Sequence, residues 1–107
     1  MGKWKFEIID SVEKFIANLS SSDIAKIRTI FRLFEEYGTL LPERYIKRMS
    51  GTKNLWELRA KRIRIFFFIH KNRGIGIHGI IKKSQKTPKQ DMKRALSRVR
   101  SIQEELL

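Results

Sequence analysis

The period of apolar positions changes along the chain, and each change marks an element. Trp4-Lys5-Phe6-Glu7-Ile8 alternates apolar with charged residues, which predicts an edge strand with Trp4, Phe6 and Ile8 inward. Val12, Phe15, Ile16 and Leu19 then share one side of a short helix, with Asp10 as its cap and Glu13 three residues on. Ser20-Ser21-Ser22 ends that helix and caps a second, in which Ile24, Ile27, Ile30, Phe31 and Phe34 recur at helical spacing up to Tyr37-Gly38. The two stripes make a helix hairpin that needs a sheet to cover. Thr39 to Thr52, with Pro42, Gly51 and little periodicity, reads as a long loop.

The stretch from Leu55 to Pro88 carries three consecutive β-type runs. Ile63 to Ile69 is apolar apart from Arg64 and has no Gly or Pro, so it reads as the central strand, covered on both faces. A tight turn at Lys61-Arg62 sets Arg59 opposite Arg64 and Glu57 opposite Phe66. A three-residue loop with a bulge at Lys71-Asn72-Arg73-Gly74 sets Arg64 opposite Lys82, Phe66 opposite Ile80 and Phe68 opposite His78. Alternation then places Trp56, Leu58, Ile65, Phe67, Ile69, Ile77 and Ile81 on one face. Glu57, Arg59, Arg64, Phe66, Phe68, His78, Ile80 and Lys82 fall on the other.

After the sheet, Thr87 suits a cap and Pro88 a first helical position, and Met92, Ala95, Leu96, Val99 and Ile102 form the stripe of a terminal helix. The fold class is α+β, a small antiparallel-rich sheet of about four strands with the helix hairpin on one face, followed by a C-terminal helix. At 107 residues the chain makes one domain, residues 1–107.

Charge sharpens this picture because it is segregated. Residues 1–43 hold six Lys/Arg against seven Asp/Glu, whereas residues 44–103 hold eighteen against only Glu57 and Asp91. A positive field over one part of a small domain favours nucleic acid, an acidic protein or an anionic membrane surface, and without an amphipathic basic helix bearing bulky aromatics nucleic acid ranks first. No apolar run approaches the roughly 20 residues of a membrane span, and the N-terminal stretch lacks an export signal. With no cysteine in the chain, a reducing, cytoplasmic setting is expected.

Like charges directly opposite in a sheet are destabilising, so the row Arg59, Arg64, Lys82 calls for an anionic ligand, unless Glu57 pairs diagonally with Arg59 or Arg64 and the long side chains fan apart into water. Lys47, Arg48 and Lys53 in the loop could guide a polyanion to the sheet, and Lys86, Lys89, Lys93 and Arg94 extend the basic surface; each singly also suits a solvated surface. His78 is expected to be a structural, hydrogen-bonded histidine, and His70 a surface one. Phe66 and Phe68 are expected to fill core under the terminal helix, with base stacking the alternative. Two histidines and no cysteine argue against a zinc site, and no carboxylate cluster suggests a two-metal nuclease, so no metal or cofactor is expected.

Read together, LWELR at Leu55–Arg59, RIFFF at Arg64–Phe68 and HGIIKKSQKTP at His78–Pro88 resemble the HigB-type, phage-derived host-inhibition-like branch of the RelE/ParE toxin superfamily. The element order of the whole chain is similar as well. The resemblance implies a RelE-like fold and the toxin of a type II toxin–antitoxin pair. Such a toxin cleaves mRNA on the translating ribosome and is silenced by a cognate antitoxin, often a helix-turn-helix protein, here with an acidic contact segment. The toxin alone is expected to be a monomer, and the toxin–antitoxin complex a higher-order assembly.

The family's strand arginines fall on Arg59 and Arg64, and its paired lysines on Lys82 and Lys83. Two departures stand out: no Tyr or His follows His78, and Ile80 stands where an aromatic is common. Metal-free RNA cleavage uses the substrate's own 2′-hydroxyl, so fixed guanidinium groups suit the task of stabilising the phosphorane. That task is assigned to Arg59 and Arg64. Lys82 is the first candidate for proton transfer, with Lys83 or Lys86 behind it. Two alternatives stay open: a ParE-like toxin that acts on DNA gyrase without cutting RNA, and a basic nucleic-acid-binding module without catalysis.

Overall fold

The computed structural model describes residues 3–83 and 87–106. Its elements in chain order are β1 (Lys5–Ile8), α1 (Asp10–Ala17), α2 (Ser21–Tyr37), a 3-10 turn (Gly38–Leu40), β2 (Ile46–Arg48), β3 (Trp56–Ala60), β4 (Ile63–His70), β5 (Arg73–Ile81) and α3 (Lys89–Leu106). The strands form one sheet in the order β1-β5-β4-β3-β2. β1 runs parallel to β5 at one edge, and every other neighbouring pair is antiparallel.

Five strands replace the expected four because β2 lies inside the stretch read as a loop. Three residues are too few to display a period. They are held by pairing with β3, Ile46 opposite Leu58 and Arg48 opposite Trp56, and Ile46 is buried.

The helix hairpin covers one face of the sheet and α3 the other. On the hairpin side Val12, Ile27, Ile30 and Phe34 pack on Leu58, Ile65 and Phe67. An aromatic cluster closes that layer, with Phe6 stacked on Phe31 at 4.6 Å and edge-on to Phe34 and Phe67 at 5.3 and 5.2 Å. On the other side Phe66, Phe68, Ile75, Ile77 and Ile80 pack under Ala95 and Val99. Phe66 and Phe68 are fully buried there, so they fill core and offer no ring to a base.

Local rules account for the helix ends. The Ser20 hydroxyl accepts from the Asp23 amide at 3.1 Å and caps α2, and Gly38, at φ 56°, ends it. A side chain at Gly38 would also run into the Trp4 ring, which covers this turn. Asp10 does not cap α1: Ile9 takes that position, and Asp10 sits within the first turn. Leu96, placed in the apolar stripe by its spacing, is 41% exposed on the flank of α3.

The register agrees with expectation on one side of β4 and departs from it on the other. β3 pairs with β4 as expected, Arg59 opposite Arg64 and Glu57 opposite Phe66. The β4–β5 turn, however, is two residues long, with Lys71 in the left-handed region at φ 56° and His70 opposite Arg73. Here Lys71, not Gly74, takes the left-handed position. Ile77 is then an extra residue between the pairs Phe67–Gly76 and Phe66–His78, a bulge that turns both Ile77 and His78 toward α3. Arg64 therefore faces Ile80 instead of Lys82, and Ile77 belongs to the α3 side. On the hairpin side the bulge keeps Gly79 directly beneath Phe15, where any side chain would meet the ring.

Candidate functional site

Lys82 follows the last residue of β5, and its amide donates to the Arg62 carbonyl at 2.7 Å. Although it is not opposite Arg64, this bond keeps it beside the β3–β4 end of the sheet. It lines a cleft of about 360 Å³ with Lys47 of β2, Glu57 and Arg59 of β3, and Met49, Ser50, Thr87 and Met92. The floor is the α3-facing side of β2 and β3, and the start of α3 forms a wall.

The alternation of the short strands β2 and β3 places Lys47, Arg59 and Glu57 around the hollow, and the residue after β5 adds Lys82. Arg48, one residue from Lys47, lies opposite Trp56 and so belongs to the hairpin side of the sheet, away from the cleft. Lys83, Lys89, Lys93 and Arg94 are exposed outside the cleft, and Lys53 lines a neighbouring hollow. Lys86 lies outside the described residues.

Glu57 is the residue whose role the sequence reading left as an alternative. It is 1% exposed, and its Oε1 accepts from Arg59 Nε at 2.7 Å while standing 3.6 Å from Arg64 Nε. One buried carboxylate therefore holds both guanidinium groups. The signal was in the sequence: Glu57 and Arg59 are two apart on one strand and so share a face, and the turn sets Arg64 beside them.

The two arginines have different tasks. Arg59 lines the cleft, its Nη1 also donating to the Glu43 carbonyl at 3.3 Å. Arg64 sits behind it: Nη1 donates to the carbonyls of Lys61 and Ile63, bracing the turn in which Lys61 takes φ 56°. Arg64 Nε is buried without a hydrogen bond. Burial pulls the Arg64 pKa below the ordinary guanidinium value, an effect Glu57 opposes and Arg59 adds to. With Lys47 tied only loosely to exposed Glu43 at 3.6 Å, the cleft keeps an excess of positive charge.

His78 lies on the other flank of α3. Its ring stacks on Phe66 at 6.2 Å and bridges the Asp91 carboxylate and the Arg98 guanidinium, 2.8 Å from each. Because Arg98 can only donate, Nδ1 must accept and the proton sits on Nε2 toward Asp91. Arg98 also donates to the Ile77 carbonyl at 2.9 Å, so the bulge and this network lock α3 to β5. The geometry agrees with a structural histidine, opposite Phe66 and not Phe68.

The family model for phage derived protein Gp49-like proteins matches residues 14–100, from α1 through most of α3. The chain belongs to the Gp49-like family. Among solved structures, a chain of the archaeal RelE-RelB complex from Pyrococcus horikoshii OT3 superposes on this Gp49-like chain with a TM-score of 0.64 at 14% identity, covering 75% of this chain and 96% of that one. A chain of the RelB-RelE antitoxin-toxin complex from Methanococcus jannaschii gives 0.59 at 15% identity, over 69% and 87%. No curated protein matches. The α+β, RelE-like fold expected from the sequence is therefore the fold of this Gp49-like protein. Among the described residues no helix is long and apolar enough to cross a membrane.

Proposed function

We propose that this Gp49-like protein is the toxin of a toxin–antitoxin pair and acts as a metal-independent endoribonuclease on mRNA at the ribosome. The observation that carries the reading is the cleft in which Arg59, Lys82 and Lys47 converge above a carboxylate already committed to Arg59 and Arg64. A hollow with surplus fixed cations suits a phosphate whose negative charge grows during reaction. The fold shared with chains of toxin–antitoxin complexes supports the same reading, as does the resemblance carried by LWELR, RIFFF and HGIIKKSQKTP.

In the proposed reaction the 2′-oxygen of the substrate attacks the adjacent phosphorus as its proton leaves to water. The bond to the 5′-oxygen breaks to leave a 2′,3′-cyclic phosphate, and the Lys82 ammonium gives a proton to that oxygen and regains one from water. Arg59 grips the phosphorane oxygens, held in orientation by Glu57, while Arg64 maintains the positive field from behind. Lys83 serves as a second basic contact beyond Lys82. Exposed Lys53, Lys89, Lys93 and Arg94 attract the RNA and the ribosome. A cognate antitoxin with an acidic segment would silence the protein by covering this surface, salt slowing its arrival more than its residence.

The test is induced expression of wild type and of Arg59→Ala and Lys82→Ala variants, with mapping of mRNA ends. Growth arrest with cuts inside codons, lost in both variants and insensitive to chelator in a purified translation system, is expected. Arrest with intact mRNA and DNA-damage signalling would replace the ribonuclease by a gyrase-directed toxin. Steeply salt-dependent RNA binding with no cleavage would leave a plain binding module.

A further inference from the structure

A second hollow, of about 440 Å³, lies along the same flank of α3 as the cleft. Leu55, Leu96 and Val99 line it, and Lys53, Arg100 and Gln103 bring polar groups to it. The linings of the two hollows follow one another in the chain: Met49 and Ser50 of the cleft lead directly into the segment Gly51 to Leu55, and Met92 of the cleft stands four residues before Leu96 on α3. Four residues of helix rise about 6 Å along the axis.

The chemistry of the second hollow differs from that of the first. Among the described residues no carboxylate lines it, and neither Lys53 nor Arg100 has a hydrogen-bonding or ion-pairing partner. The exposed side chain of Leu96 contributes apolar surface. An apolar surface between two unpaired cations can take the flat face of a base while the cations meet phosphates on either side. An acidic peptide would satisfy the same charges, but the hollow adjoins the proposed phosphate site, which favours RNA.

We infer that this hollow is a nucleotide subsite for single-stranded RNA: it holds a base over the exposed side chain of Leu96, with flanking phosphates at Lys53 and Arg100, next to the phosphate in the cleft. The inference rests on the endoribonuclease reading of the cleft, yet binding alone tests it. The probes are 2′-O-methyl RNAs of two and six nucleotides, which lack the attacking hydroxyl and cannot be cut. Their affinity for the full chain is measured by fluorescence anisotropy over a salt series.

Wild type should bind the six-mer at least about tenfold tighter than the two-mer, each further phosphate contact adding to affinity. Lys53→Ala/Arg100→Ala should reduce that gain to about twofold and lower the salt slope by about 1.4, at about 0.7 for each of two phosphates on a single strand. A six-mer with an abasic residue at the subsite should bind wild type more weakly than its parent, and Leu96→Ser should erase that difference. An unchanged length gain in the double variant overturns the inference. So does a glutamate-rich peptide that binds wild type, fails to bind the double variant and is not displaced by the six-mer. If the length gain and its loss are found but wild type never cuts mRNA, the ribonuclease reading fails and the subsite stands; cutting with an unchanged length gain is the converse.

Discussion

Replacing Glu57 by Gln keeps the shape of the side chain and removes only its charge, so it isolates what the buried carboxylate does. In the native protein that group receives a charge-assisted hydrogen bond from Arg59 at 2.7 Å, a type of bond that contributes about 1.5–3 kcal/mol. It also faces Arg64 Nε at 3.6 Å, a gross attraction of roughly 4–5 kcal/mol at an effective dielectric of about 20, before the cost of taking the ions out of water. Removing one partner of a buried pair typically costs about 3–5 kcal/mol, because the remaining charge is left uncompensated. The Gln carbonyl can still accept from Arg59, so the lower end of that range, about 3 kcal/mol, is expected. For a domain of this size that corresponds to a fall in Tm of roughly 12–24 °C.

Thermal unfolding followed by circular dichroism measures it. A double-mutant cycle should give stronger coupling for Glu57 with Arg59 than with Arg64, since only the former pair is hydrogen-bonded. RNA cleavage should drop by at least about tenfold under conditions where the variant is folded, as Arg59 loses its orienting partner. A Tm change below about 3 °C, or equal coupling to both arginines, would refute the account of Glu57 as the anchor of the site.

Gly79→Ala should destabilise by about 1–3 kcal/mol through overpacking against Phe15, seen as a lower urea midpoint with an unchanged slope. His78→Leu should cost about 1–3 kcal/mol, since Arg98 and Asp91 lose the imidazole between them, and hydrogen exchange should quicken in α3 ahead of the hairpin helices. Lys47→Ala should weaken RNA binding more than Arg48→Ala, although both remove one charge from β2, because only Lys47 lines the cleft. Equal effects would show that net charge, not the cleft, governs binding.

Much of this architecture was legible in the sequence because it follows from local periodicity. The stripes of Val12 to Phe34 and of Met92 to Ile102 fixed the helices, the unbroken run Ile63 to Ile69 fixed the central strand, and the tight turn at Lys61-Arg62 set Arg59 beside Arg64. Charge segregation pointed to the half of the chain that carries the cleft. What the tertiary structure alone decided depends on single residues whose preferred state is set by their neighbours. Lys71 adopts a left-handed turn that glycine-based rules assign to Gly74, and the bulge at Ile77 reverses which side of the sheet that residue serves. Ile46 to Arg48 becomes a strand only because β3 lies beside it. The commitment of Glu57 to two arginines, and the hollow where Lys82 approaches Arg59 without pairing with Arg64, arise when distant segments pack. Periodicity states which face a side chain takes, whereas the surroundings of a charge are set by chain segments far apart in sequence.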